Sequence, residues 1–220
     1  MVEELVWIDG KLVGASEATV SVFDHGLTVG DGVFETLKAV DRQPFATRRH
    51  LERLRRSADG LGLQLPYTEH ELGVAMSQVL ASHDAGLLRV RITVTGGTAP
   101  LGSERGVANA TVVVAAGPLA AAAPSTAVSV APWPRNERGA MVGIKTTSYA
   151  ENVVALAYAK ARGATEAIFA TTTDLLCEGT GSNIFVGVGR RLLTPPLSSS
   201  CLAGVTRDLV LEATDAIEED

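Results

Sequence analysis

The 220-residue chain contains four lysines, Lys11, Lys38, Lys145 and Lys160, and what precedes Lys145 sets it apart. The apolar run Ala140-Met141-Val142-Gly143-Ile144 delivers it to the threshold of a helix. A lysine amine is a useful nucleophile only when its pKa is lowered, as burial among apolar groups or nearby cations does. Lys145 is therefore either an amine held at a strand end for chemistry or an ordinary solvated charge. Lys160 lies within a helix beside Arg162, and Lys11 follows a hairpin turn, so both read as solvated.

Three other stretches carry candidate chemistry. In CEGTGSNIF, Cys177 to Phe185, Glu178 sits where a strand ends and a glycine-rich loop begins; an exposed Glu on a β-turn is the plain alternative. In TPPLSSSCLAGVTRDLVLE, Gly204-Val205-Thr206 opens an amphipathic helix, where free backbone N–H groups and a hydroxyl can hold an anion. The same threonine would serve equally as a simple cap. The third stretch is an arginine-rich helix with Arg48, Arg49, Arg53, Arg55 and Arg56. Arg49, Arg53 and Arg56 share one face at helical spacing. That face is a solvated basic surface, a nucleic-acid surface, or the source of one arginine turned inward to hold a phosphate bidentately. Taken together, an amine nucleophile, a carboxylate and two phosphate-holding elements are the parts that pyridoxal 5′-phosphate requires: a Schiff-base lysine, an acid at the pyridine nitrogen and a phosphate anchor.

The elements that must position these groups follow from patterning. Leu5–Ile8 and Leu12-Val13 flank the turn dipeptide Asp9-Gly10 and predict a hairpin. Residues 33–40 alternate as a strand and reach a turn at Asp41-Arg42-Gln43. Leu51, Leu54 and Leu61 then recur at helical spacing in TRRHLERLRRSADGLGL, which closes on glycine. Thr68-Glu69-His70-Glu71 has capping-box form and predicts a helix to about Leu80. Strands are expected over 88–95, 111–115, 127–131, 166–170, 183–188 and 191–194, with helices over 150–162 and from about Gly204. Lys145 is expected on a strand. The Ala/Pro-rich AAGPLAAAAPSTA reads as a linker. The expected organisation is therefore an N-terminal α/β domain over 1–115, a linker over 116–127 and a C-terminal domain over 128–220, of α/β to α+β class.

Composition narrows the partners. A hydrophobic content of 46% suffices for a sizeable core, and a net charge of −6 argues against a general nucleic-acid binder. Cys177 and Cys201 belong to no CxxC pair, so neither a disulfide framework nor a metal site is expected. With no leader-like start and no apolar run of membrane length, a soluble cytoplasmic protein is the expectation.

The order IKTTSYAENV, EGTGSNIF, TPPLSSSCLAGVTR, with VFDHGLTVGDGVFETL and RRHLERL before it, resembles the class IV (fold-type IV) pyridoxal-phosphate enzymes. These include branched-chain aminotransferases, D-amino acid aminotransferases and 4-amino-4-deoxychorismate lyases. The resemblance implies the two-domain fold-type IV architecture, a small N-terminal α/β domain and a larger C-terminal pseudo-barrel domain. It also implies a homodimer acting on a small amino substrate. By it, Lys145 is the Schiff-base lysine and the general base and acid, and Glu178 partners the pyridine nitrogen. Arg53, in His50-Leu51-Glu52-Arg53-Leu54, is the phosphate arginine. Val205 and Thr206 hold the phosphate through backbone N–H and hydroxyl, Leu202 packs on the ring, Tyr149 reaches its phenolic oxygen, and Phe34 lines the substrate pocket.

Within the family the pocket discriminates. The carboxylate trap of D-amino acid enzymes, Ser-Pro-Arg-x-His, is replaced here by Ala99-Pro100-Leu101-Gly102-Ser103, lacking both Arg and His. Branched-chain enzymes show Arg-Pro-Leu where this chain has Arg89-Val90-Arg91, and a Tyr where it has Val29. GDGVFETL and TGGTAPLGSERG resemble the lyases, while EGTGSNIF and TPPLSS resemble the branched-chain transaminases. The expectation is 4-amino-4-deoxychorismate lyase, releasing pyruvate and 4-aminobenzoate. The alternatives are a branched-chain-type aminotransferase and a non-catalytic relative. Family members usually continue some tens of residues past the GVTR helix, so an incomplete C-terminal domain, with exposed core surface and weakened cofactor binding, is also expected.

Overall fold

Asp9 and Gly10 both adopt positive φ, 46° and 88°, the conformation a two-residue hairpin turn requires. They join β1 (Leu5–Ile8) to β2 (Lys11–Gly14) in the expected antiparallel register, with Val6 opposite Val13. The computed structural model describes residues 4–84, 86–107 and 109–220, and these divide into two compact units. Unit 1 comprises Met1–Ala122 and Ile144–Ser148; unit 2 comprises Ala123–Gly143 and Tyr149–Asp220.

In unit 1 the hairpin is followed by a short α1 (His25–Thr28), β3 (Gly32–Val40), β4 (Gln43–Pro44), α2 (Thr47–Leu61), α3 (Glu69–Ala81), β5 (Leu87–Thr95) and β6 (Thr111–Pro118). The strands form one sheet in the order β2-β1-β6-β5-β3-β4, every named pair antiparallel. Alternation sends Val90, Ile92 and Val94 of β5 and Val33, Leu37 and Ala39 of β3 into the core. On α2 the buried positions His50, Leu51, Arg53, Leu54, Ser57 and Ala58 form one face, which packs against β3. Gly62 ends that helix in the left-handed region, φ 69°, as expected of a closing glycine. Thr68 caps α3 with the predicted box: its Oγ1 accepts the Glu71 N–H, and the Glu71 carboxylate accepts the Thr68 N–H at 2.7 Å.

Unit 2 contains β7 (Val128–Val130), α4 (Ala150–Lys160), β8 (Glu166–Ala170), β9 (Leu176–Gly179), β10 (Val186–Val188), β11 (Arg191–Thr194), a 3-10 turn (Leu197–Ser199), α5 (Val205–Ala213) and β12 (Ile217–Glu218). They form two three-stranded sheets, β7-β8-β9 and β10-β11-β12, each with one parallel and one antiparallel pairing. Its core is built of small residues around Phe169: Ala131, Ala155, Ala159, Ala164, Ala167, Cys177 and Cys201. The mixed α/β class expected from the sequence is the class observed.

Three local expectations need correction. The strand placed over 111–115 runs on to Pro118, because Leu88 to Arg91 of β5 continue the ladder with Ala115 to Pro118. The strand placed over 183–188 is only Val186–Val188, since the Asn183 side chain is engaged with the Leu202 carbonyl. Lys145 is not on a strand; it lies on an irregular segment whose pairing with β3 is the single bridge Val33–Thr146, too short to count as one. Among the described residues no helix is long and apolar enough to cross a membrane.

Candidate active site

The Lys145 segment lies along the free edge of β3. The Phe34 N–H donates to the Lys145 carbonyl at 2.9 Å, and the Thr147 N–H to the Gly32 carbonyl at 2.8 Å. From α2, Ser57 Oγ accepts the Lys145 N–H at 3.2 Å. Thr147 and Ser148 each donate a hydroxyl to the Gly30 carbonyl at 2.9 Å. Gly32 is obligatory here, since a Cβ would sit 2.7 Å from the Val94 carbonyl oxygen and 2.9 Å from Thr147 Oγ1. The lysine backbone is thus fixed by a strand, a helix and a loop.

Its side chain turns to the sheet face opposite the helices. Lys145 Nζ stands 4.6 Å from the centroid of the Phe34 ring, and Arg91 Cζ stands 3.7 Å from the same centroid. Arg91 Nε also donates to Thr93 Oγ1 at 3.0 Å. Phe34 is 5% exposed, so both cationic groups use an almost buried ring. Amine and guanidinium are therefore no farther apart than the sum of those two distances.

On the opposite face Glu35 is fully buried and gathers Arg53 and His50. Arg53 Nε and Nη2 donate to its two oxygens at 2.6 and 2.8 Å, and His50 Nδ1 lies 2.7 Å from Oε2. Burial pushes the Glu35 carboxyl up, but hydrogen bonds and charge from Arg53 and His50 outweigh it and hold the group below the usual carboxylate range. Of the three arginines sharing a face, Arg53 alone is buried. Neither Glu35 nor His50 was assigned a role from the sequence, although VFETL and His-x-x-Arg contain them. A charge at an inward position of a strand was the available signal.

In unit 2, β9 carries Glu178 at the strand end expected for it. Glu178 Oε2 accepts the Leu202 N–H at 2.9 Å, and Oε1 lies 3.7 Å from Arg135 Nη2. Arg135 packs over Phe169 at 4.1 Å and donates to Asn152 Oδ1 at 3.2 Å, while Asn152 Nδ2 donates to the Thr180 carbonyl. Asn183 Nδ2 donates to the Leu202 carbonyl at 2.9 Å. Glu178 and Leu202 are thereby brought together. Arg135, Asn152 and Asn183 support them, and sequence reading gave none of these three a role. Beside Glu178, burial and that carboxylate push the Cys177 thiol up to about 12.

Val205 and Thr206 are the first two residues of α5, Val205 buried and Thr206 exposed. The helix N-cap is Gly204, which supplies no capping side chain, and a Cβ there would overlap Asn183 Oδ1. Tyr149 is the N-cap of α4, its carbonyl accepting the Val153 N–H at 3.1 Å.

The amino-transferase class IV family matches residues 32–219. A Methanocaldococcus jannaschii protein carried under the provisional name of branched-chain-amino-acid aminotransferase is 33% identical over 97% of this chain and 77% of its own length. A Bacillus subtilis aminodeoxychorismate lyase is 28% identical over 94% of this chain and 73% of its own. The crystal structure of the branched-chain aminotransferase of Thermoproteus uzoniensis with norvaline has a TM-score of 0.90 and 31% identity, covering 99% of this chain and 78% of that one. This chain belongs to the class IV aminotransferase family and is a pyridoxal-phosphate-dependent enzyme of it.

The residues present fit that cofactor. Its ring nitrogen needs an ionised acid, and Glu178 has a backbone N–H and a guanidinium beside it that favour the carboxylate. Its phosphate needs free donors, and α5 begins without a side-chain cap at a residue where a Cβ has no room.

Proposed function

We propose that the chain is an aminotransferase of branched-chain type, exchanging an amino group between a small amino acid and a 2-oxo acid. The observation that carries this reading is the shared Phe34 ring: a reactive amine on one contact and a guanidinium on another. Arg91 is in place to receive a second carboxylate, as an acidic amino donor such as glutamate would bring. The names of the relatives supply further support.

In this reading Lys145 Nζ carries the covalent attachment and then removes and returns the proton at the substrate's reacting carbon. Glu178 holds the ring nitrogen protonated, Arg53 together with Val205 and Thr206 takes the phosphate, Leu202 packs on the ring and Tyr149 reaches its phenolic oxygen. Phe34 walls the substrate side. When bound, pyridoxal 5′-phosphate supplies the electron sink that makes the proton at that carbon removable. Exposed Val22, Phe23, Leu27 and Val29, close in sequence, support a homodimer, testable by light scattering. The free thiols Cys177 and Cys201 suit the cytoplasm.

The lyase remains the second reading, favoured by the Bacillus subtilis relative and by Val29 and Arg89-Val90-Arg91. One experiment separates them. The purified protein with added pyridoxal 5′-phosphate is given L-glutamate and 4-methyl-2-oxopentanoate, and separately 4-amino-4-deoxychorismate. Leucine formation supports the aminotransferase, whereas pyruvate with 4-aminobenzoate replaces it with the lyase. Borohydride reduction and peptide mapping must find the cofactor on Lys145; a label elsewhere removes Lys145 from its role.

A further inference from the structure

We infer that Arg89 and Lys38, one step beyond Arg91 on the open face of the unit 1 sheet, form a second cationic subsite that takes the distal carboxylate of a long dicarboxylic substrate. The inference rests on the aminotransferase reading and extends it from reaction to substrate class.

Strand alternation places Phe34, Thr36 and Lys38 of β3 and Arg89, Arg91 and Thr93 of β5 on the face away from α2 and α3. In the register Lys38 lies directly opposite Arg89, and Thr36 opposite Arg91. Like charges facing each other across a sheet are destabilising, so a pair retained there calls for an anion. The protein supplies none: among the described residues no carboxylate pairs with Lys38 or Arg89, in a chain with 25 acidic and 19 basic residues. The next strand contributes only small side chains here, Ala115 beside Arg91 and Gly117 beside Arg89. A Cβ built on Gly117 would meet no atom within 4 Å, so the space next to Arg89 is open.

The cations form a track with a direction. The Lys145 amine and the Arg91 guanidinium meet at Phe34, and Arg89 follows two residues farther along β5, a step of about 7 Å. A substrate whose reacting carbon is at Lys145 reaches Arg91 with a short acidic side chain. A longer side chain carries its carboxylate toward Arg89 and Lys38. An uncharged aliphatic side chain gains nothing from either residue.

The test compares the wild type with Arg89→Gln and Lys38→Gln, both at exposed positions where folding is undisturbed. KM is measured for 2-oxoadipate and for 4-methyl-2-oxopentanoate. Each substitution should raise the ratio of the first KM to the second about two- to fivefold, the range open to an exposed ion pair. Thermal shift, which needs no turnover, is measured with adipate, hexanoate and sulfate. Adipate should raise the Tm of the wild type more than that of Arg89→Gln, and more than hexanoate or sulfate does. An unchanged KM ratio, or equal adipate shifts in wild type and variant, overturns the inference. Equal shifts from sulfate and adipate overturn it too, marking a general anion surface. A selective adipate shift in a protein that transfers no amino group would sustain the subsite and refute the aminotransferase reading instead.

Discussion

At the scale of single residues, Glu35 concentrates the electrostatics of unit 1. Its two partners keep it ionised despite complete burial, and its folded-state pKa lies below the ordinary value. A carboxylate shifted down in this way stabilises the fold above its unfolded pKa, and that contribution disappears as pH falls through the folded value. Glu35→Gln should lower stability at pH 7 by about 3 kcal/mol, since the buried Arg53 loses its counter-charge. It should also flatten the acid limb of a urea midpoint-against-pH curve relative to wild type. Identical curves would refute the assignment. The cysteines allow a second test at this scale: with Cys177 pushed up to about 12 and Cys201 also raised, both mainly by burial, neither thiol is reactive near neutral pH. Maleimide labelling should be slow in the folded protein and rapid in denaturant. Fast labelling of native protein would show that the unit 2 core opens readily.

At the scale of elements, the features announced by local chemistry were legible in the sequence. The Asp9-Gly10 hairpin, the capping box at Thr68 and the closing Gly62 were each specified by residues within a few positions. What escaped was specified from a distance. The Lys145 segment is held by β3 and α2, partners far away in sequence, so no neighbouring pattern could reveal that it is irregular. The Arg53–Glu35 pair spans β3 and α2 in the same way. Lys145, Glu178, Val205 and Thr206 were legible as candidates because short motifs surround them; Arg135 and Asn152 were not, because their work is to hold other residues. Gly32 tests this level directly. Gly32→Ala forces a methyl against the Val94 carbonyl and Thr147, and should displace the lysine segment from the β3 edge. Turnover should fall at least tenfold while far-UV circular dichroism is retained, because positioning errors cost rate more than fold. Activity equal to wild type would show that the segment tolerates the shift.

At the scale of the whole molecule, the two units differ in what their cores are made of. Unit 1 packs Leu, Ile, Val and Met side chains between sheet and helices, whereas the unit 2 cluster is mostly alanine around one phenylalanine and two thiols. A buried Leu, Ile or Phe contributes about 1.5–3 kcal/mol and an alanine far less, so unit 2 has less stability of its own. Ligand binding to the native state adds stability by mass action, and it acts most on the elements that hold the ligand. Glu178, Val205 and Thr206, three of the residues proposed for the cofactor, belong to unit 2. Hydrogen exchange without pyridoxal 5′-phosphate should therefore be faster in β8, β9 and α5 than in β3, β5 and α3. Added cofactor should slow the unit 2 segments by tenfold or more, with a smaller change at the unit 1 core. Protection rising equally in both units would mean that they unfold as one cooperative body, and unit 2 would not be the part whose order depends on the cofactor.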